Sequence, residues 1–160
     1  MNINKILDIA KHEFQQKLIE FCQNHDFTKL TPENAEEFAK GLRDGLSAAG
    51  AVAYKSFIEN YDENDNTIIK DGEVFRFKHV SQKDFLTPFG EITLDRRLYQ
   101  PPTDGCSYVP LDEKWGMRGQ YASMEVRESI LYSVALMTPE ETACSESAPC
   151  FIPRPQPLSI

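Results

Sequence analysis

The stretch LTPFGEITLDRRLYQ, residues 86–100, decides the fold. Pro88 and Gly90 mark a turn, and the residues after it alternate apolar and polar with the two-residue period of a half-buried strand. Ile92, Leu94 and Leu98 fall on one side, with Thr93, Asp95, Arg97 and Tyr99 on the other. Arg96 breaks the pattern by falling on the apolar side, where its long stem can pack while the guanidinium reaches an edge. Upstream, EVFRFKHV (residues 73–80) alternates Phe75 and Phe77 with Arg76 and Lys78, and KDFLT leads from it into the turn. These stretches predict a small antiparallel β-meander within residues 62–122. The segment from Gln100 to Gln120, with three prolines and three glycines, is expected as a long loop.

Working outward, the alternation gives way to helical spacing. Ile3, Ile6, Leu7, Ala10, Phe14, Leu18 and Phe21 recur at steps of three and four, which predicts one apolar stripe on a helix of about 20 residues. Thr31-Pro32-Glu33 supplies a capping hydroxyl, a proline suited to the first turn and an acid near the positive helix end. The stripe that follows runs Ala35, Phe38, Leu42, Leu46, Ala49, Ala53, Phe57 and Tyr61. Gly41, Gly45 and Gly50 either weaken this helix or let another approach it closely. Residues 1–61 therefore read as a helical hairpin. A further helix is expected from Ser123 to Met137, with Val126, Ile130, Leu131 and Val134 on its buried side. Thr138-Pro139-Glu140-Glu141 then announces another helix start within residues 123–143. Residues 144–160 hold four prolines in their last twelve positions and read as an irregular tail. The fold class is α+β: an N-terminal helical hairpin, a small antiparallel β-meander, a C-terminal helix and an irregular Pro-rich tail.

The formal net charge is −8, which argues against a surface given over wholly to nucleic acid or membrane. The charge is uneven. Residues 1–65 carry seven Lys/Arg against twelve Asp/Glu, residues 66–100 six against five, and residues 101–160 four against eight. Cys22, Cys106, Cys144 and Cys150 form no close pair, so a disulfide framework and secretion are poorly supported and a cytoplasmic location is expected. The apolar runs are too short to span a bilayer.

Few motifs carry chemistry. In DENDNTIIKDGE (residues 62–73), Asp62, Asn64 and Asn66 fall at loop positions one, three and five of a helix-loop-helix calcium site, and Glu73 at twelve. The glycine needed at position six is Thr67, so a solvated acidic turn is the preferred reading. His12, His25 and His79 show no metal spacing, and no nucleophile-elbow, zinc-protease or phosphate-loop pattern is present. Arg76, Lys78, Lys83, Arg96 and Arg97 lie on what should be neighbouring strands, and Tyr99 adds an aromatic plane. Such a set could hold phosphates. Pairing with Glu73, Asp84, Glu91 and Asp95 is the alternative, and the residues by themselves favour it.

The order of TPFGEITLDRRLYQ and VPLDEKWGM resembles the N-terminal half of insertion-sequence transposases of the ISKra type. In that group a strand of the form T-x-x-G-x-(I/V)-x-(I/V/L)-x-R-R-x-Y precedes a PLDE-x-x-G-(L/M) loop and a helix. The matching positions are Thr87, Gly90, Ile92, Leu94, Arg96, Arg97, Tyr99, Pro110, Leu111, Asp112, Glu113, Gly116 and Met117, and the likeness covers residues 70–143. The resemblance implies an N-terminal region that engages DNA at the element ends, with contacts at Arg76, Lys78, Lys83, Arg96, Arg97, Tyr99, Lys114 and Arg118. It implies no catalytic residue and no cofactor in this chain, the divalent metal belonging to an acidic triad in a downstream nuclease-like domain. Two departures stand out: Cys106 is alone where relatives place cysteine pairs, and the family pattern dissolves after Pro139–Ala143, as a frameshift or truncation would leave it. The implied partners are DNA and a second copy or a full-length transposase. The alternatives are an interaction module that pairs with or inhibits full-length protein, or a relic reading frame with no selected function.

Overall fold

A computed structural model of the chain describes residues 2–102 and 105–136. The chain is α+β: helices α1 (Ile3–Gln23) and α2 (Pro32–Glu59), strands β1 (Thr67–Lys70), β2 (Glu73–Thr87) and β3 (Gly90–Gln100), a short helix α3 (Pro110–Lys114) and helix α4 (Met124–Leu136). It divides into a unit up to Ser123 and a second from Met124. The expected helix start at Thr138 and the tail lie outside the described residues. Among the described residues, no helix is long and apolar enough to cross a membrane.

The helix starts are chemically specified. The Asn2 side chain accepts from the Lys5 N–H, and Thr31 Oγ1 accepts from the Asn34 N–H at 3.2 Å, with Pro32 opening the first turn. The face that joins α1 to α2 differs from the expected large-residue stripe. On α2 the buried positions are Gly41, Gly45, Ala49 and Ile58, whereas Phe38, Leu46, Phe57 and Tyr61 are exposed; on α1, Ile6 is buried and Ile3 and Leu7 are exposed. Small residues carry the contact because they admit whole rings. A Cβ built on Gly41 would stand 2.5 Å from the Phe21 ring, and one on Gly50 would stand 2.4 Å from Phe89, which projects from the β2–β3 turn. Gly45 differs, since its Cβ would meet Phe14 at an ordinary 3.4 Å.

These distances predict opposite outcomes for one chemical change. Gly41→Ala gains helix propensity of about 1 kcal/mol but must displace Phe21, at a cost of about 1–3 kcal/mol, so urea melts should show a net loss. Gly45→Ala should melt at or above the wild-type midpoint.

The sheet is antiparallel throughout, in the order β1-β2-β3. At its turn, Thr87 Oγ1 donates to the Gly90 carbonyl at 2.7 Å and accepts from the Phe89 N–H, while Gly90 takes φ +102°, open to glycine without strain. The inner face of the long hairpin builds the core: Phe85, Ile92 and Leu94 pack with Ile58 of α2 and with Leu111 and Met117, and Trp115 and Tyr54 close it. A bulge at Phe77/His79 leaves Lys78 without an opposite residue on β3. Beyond it a second set of contacts forms, with Tyr99 fully buried, although alternation assigns it to the polar side. Its phenol donates to the Asp65 carbonyl at 2.6 Å, and its backbone exchanges two hydrogen bonds with Tyr108.

The edge of β3, and β2 on either side of its pairing with the short β1, are capped by other backbone and side-chain groups. Along β3, Glu59 Oε1 accepts from the Asp95 N–H and Asp62 Oδ2 from the Arg97 N–H. On β2, the Asn66 carbonyl takes the Phe77 N–H, and residues 121–123 pair with Leu86. Strand β1 and helix α3 lie where the sequence reading places an acidic turn and a loop. In α4, Ile130, Leu131 and Val134 are exposed and Ser133 is buried, contrary to the expected apolar side. Its apolar residues run round the helix, at 126, 130, 131, 132, 134 and 136, so no single stripe is defined.

Candidate nucleic-acid interface

The hairpin brings several of the expected cations onto one ribbon and assigns them different surroundings. Arg76 is exposed opposite Gln100, and the Lys78 ammonium donates to the Gln100 side chain at 2.6 Å. Lys83 is half-buried; its ammonium donates to the Gln120 carbonyl at 2.8 Å and lies 4.6 Å from the Phe85 ring centroid. Arg97 stacks over Phe77 at 4.0 Å, and its guanidinium reaches the Asp65 carbonyl and the Asn66 side-chain oxygen. Among the described residues, the Lys78 and Lys83 ammonium groups rest on neutral acceptors, while Arg97 also lies near the Asp62 carboxylate that takes its backbone N–H. Ion pairs among the described residues engage Lys17, Lys55, Lys70, Arg96 and Lys114, and none of these four.

The remaining expected contacts are differently placed. Arg96 is 6% exposed, and its guanidinium pairs with Asp112 at 2.5 Å, touches the Ser81 hydroxyl and faces the Phe85 ring. Tyr99 is buried with its hydroxyl engaged. Lys114 is bound to Glu63 at 2.5 Å and to the Tyr61 carbonyl at 3.2 Å. Arg118 is exposed, close to Glu113 and Tyr108.

The residues that carry the family likeness thus make one interior unit. Thr87 and Gly90 form the turn, Ile92 and Leu94 the core, Arg96 the link to Asp112, and Leu111 and Met117 the opposing wall. The Met117 N–H donates to the Asp112 carbonyl at 2.7 Å, and Gly116 takes φ +69° in the bend between them. The Arg96–Asp112 pair joins the two motifs across the fold, a link that no local periodicity can announce.

A cluster away from the ribbon has the clearest titration. The Tyr108 phenol donates to Glu113, which also takes the Lys70 ammonium at 2.7 Å, and Lys70 lies 3.8 Å from the Tyr108 ring centroid. Partial burial, with the hydrogen bond to Glu113, pushes the Tyr108 phenol up to about 12, while Lys70 and Tyr108 together hold Glu113 below its usual range. The folded phenol keeps its proton where the unfolded one, near 10, has lost it. Its contribution to stability is complete below pH 10 and is lost as pH rises toward 12. Tyr121, whose phenol donates to Glu91, is raised as well, so in a spectrophotometric titration two tyrosines should ionise late, and Tyr108→Phe should remove one of these phases. Asp62 is raised in the same sense by burial, countered by the Arg97 and Glu63 N–H groups it accepts from. No cluster of three or more His, Cys, Asp or Glu side chains suited to a metal ion occurs among the described residues.

Comparison with protein-family models, with curated proteins and with solved structures finds no match in any of the three.

Proposed function

We propose that this chain is the DNA-holding N-terminal part of an insertion-sequence transposase of the ISKra type, and that it grips the phosphate backbone through Arg76, Lys78, Lys83 and Arg97. The observation that carries this reading is that these four side chains of one hairpin enter no ion pair among the described residues, in a chain of net charge −8. Arg96 and Lys114 are spent on internal ion pairs, and Tyr99 on the Asp65 carbonyl. The reading assigns the chain DNA binding and no bond-breaking step. Support for the family comes from the two sequence motifs, which pack against one another as a single unit.

Binding through so few phosphates is weak and salt-sensitive. Four contacts give a slope of log K against log salt of about −3.6, so affinity should fall about a hundredfold between roughly 50 and 200 mM salt. Fluorescence anisotropy with duplex DNA of the element ends measures this. Replacing Arg76, Lys78 and Lys83 together by alanine should cut the slope by about 3. Folded protein that leaves the DNA free at low salt, or a triple variant that binds like wild type, refutes the reading. Lys17→Ala, on helix α1, provides a control with little expected effect.

A further inference from the structure

The contact between α1 and α2 uses one line of each helix and leaves a second, apolar line of each uncovered among the described residues. On α1 the contact line holds buried Ile6 and Lys17, whose Cβ lies 3.9 Å from a Cβ built on Gly45; on α2 it holds Gly41 and Gly45. Phe21 meets Gly41 and Phe14 meets Gly45, so the two helices run antiparallel. Leu7 and Leu18 follow Ile6 and Lys17 by one residue, and Leu42 and Leu46 follow Gly41 and Gly45 by one residue. One residue is a turn of about 100° round a helix, always in the same sense. In an antiparallel pair that turn carries both leucine rows to the same side of the hairpin. Leu7 and Leu46 are 58% and 56% exposed there, Leu18 and Leu42 are half-buried, and exposed Ile3 and Phe57 extend the rows.

The opposite side of the hairpin is polar. One position before the contact line stand Lys5, Gln16, Lys40 and Asp44, all exposed. The leucine rows carry no charge, and what covers them must present apolar rows of similar length. Among the described residues the other helices are α3, of 5 residues, and α4, of 13, whose apolar residues run round it without forming a row. Helices α1 and α2, of 21 and 28 residues, are those of this chain that offer a matching pair of rows. An acidic chain repels its own copy, yet α1 holds three cations, Lys5, Lys11 and Lys17, against three acids, Asp8, Glu13 and Glu20, so approach over this helix meets no net charge. The size also fits. Two helices about 30 Å long and each about 10 Å across give a face of about 600 Å² per copy, or about 1,200 Å² in a pair, the lower end of stable specific interfaces.

We propose that this side of the helical hairpin docks a second copy of the chain, the α1 and α2 helices of each copy packing on those of the other across a two-fold axis to complete a four-helix bundle. A two-fold interface requires a surface that is its own complement. Two antiparallel leucine rows lying side by side meet that requirement, because a half-turn brings leucine onto leucine, and bundles of four helices are built round such rows. The inference stands apart from the DNA reading, because the rows share no residue with the four cations of the β-hairpin.

Light scattering behind size-exclusion chromatography tests this on the full chain. At about 100 μM, where even a micromolar interface is filled, the mass should be twice 18.2 kDa, and it should fall toward 18.2 kDa on dilution. Leu7→Glu combined with Leu46→Glu should weaken association by about a hundredfold or more, because the dimer would then bury four carboxylates. Both positions are exposed in the single chain, so circular dichroism should show the helices intact. Leu7→Ala combined with Leu46→Ala favours the helices and only trims the rows, and should weaken association by about tenfold. Gln16→Glu combined with Lys40→Glu, on the polar side, should leave the mass unchanged. A species of 18.2 kDa at every concentration overturns the proposal, and a loss of urea stability in the glutamate variant would then assign the rows to another segment of the same chain. A dimer that survives both leucine variants overturns it as well, since another surface must then hold it.

Discussion

Asp112→Ala is expected to lower the unfolding free energy by about 3–5 kcal/mol, the usual cost of leaving one member of a buried ion pair uncompensated. Arg96 and Asp112 are 6% and 8% exposed, and the guanidinium lies over the Phe85 ring. The Ser81 hydroxyl, at 3.4 Å, is the other side-chain partner of the guanidinium. Arg96→Ala should cost a similar amount by stranding the carboxylate. The pair is joined through one oxygen only: Asp112 Oδ1 and Arg96 Nε have no hydrogen-bond partner among the described residues. Such a pair repays little of its desolvation cost, so Arg96→Met combined with Asp112→Leu should recover most of the stability that either single change removes. Urea denaturation of the wild type, Arg96→Met, Asp112→Leu and the double variant closes the cycle. If the double variant loses the sum of the single losses, Arg96 and Asp112 do not act as a pair.

Phe85→Ala should be comparably severe, about 3–5 kcal/mol. The ring has no exposed surface and stands where the strand, α2 and the PLDE segment converge, in contact with Trp115 and beneath the cations of Lys83 and Arg96. Its removal opens a cavity that rigid neighbours on three sides cannot close. Trp115 loses its edge-to-face partner at 5.0 Å, so its emission should shift toward that of a solvated indole even where the variant remains folded. Phe85→Leu, which keeps most of the volume, should lose roughly a third to a half as much. A variant within about 1 kcal/mol of wild type would mean that this position is not the centre of the core.

Much of the architecture was legible because it is written in local chemistry. The Thr31-Pro32-Glu33 start of α2, the α1 period, the Pro88-Gly90 turn and the alternation of Ile92 and Leu94 each depend on residues within one or two turns of chain. The expectations that shifted were those resting on large side chains alone. Phe38 and Leu46 are exposed because α1 meets α2 through Gly41 and Gly45, which make room for Phe21 and Phe14. Tyr99 is buried because, past the Lys78 bulge, the Asp65 carbonyl takes its phenol and Tyr108 pairs with its backbone. The candidate site was legible as a list of cations and not as a division of labour: nothing within a few residues of Arg96 shows that it is taken by Asp112 while Arg76 enters no ion pair among the described residues.

By itself the sequence determined the α+β class, the Thr31 start of α2, the hairpin turn and the concentration of cations between residues 66 and 100, since caps, turns and periodicity are short-range properties of the chain. Tertiary structure alone decided which cations enter ion pairs among the described residues. Arg96 meets Asp112 across sixteen residues and Lys114 meets Glu63 across fifty-one, and an ion pair formed through space leaves no mark on the spacing of the residues that make it.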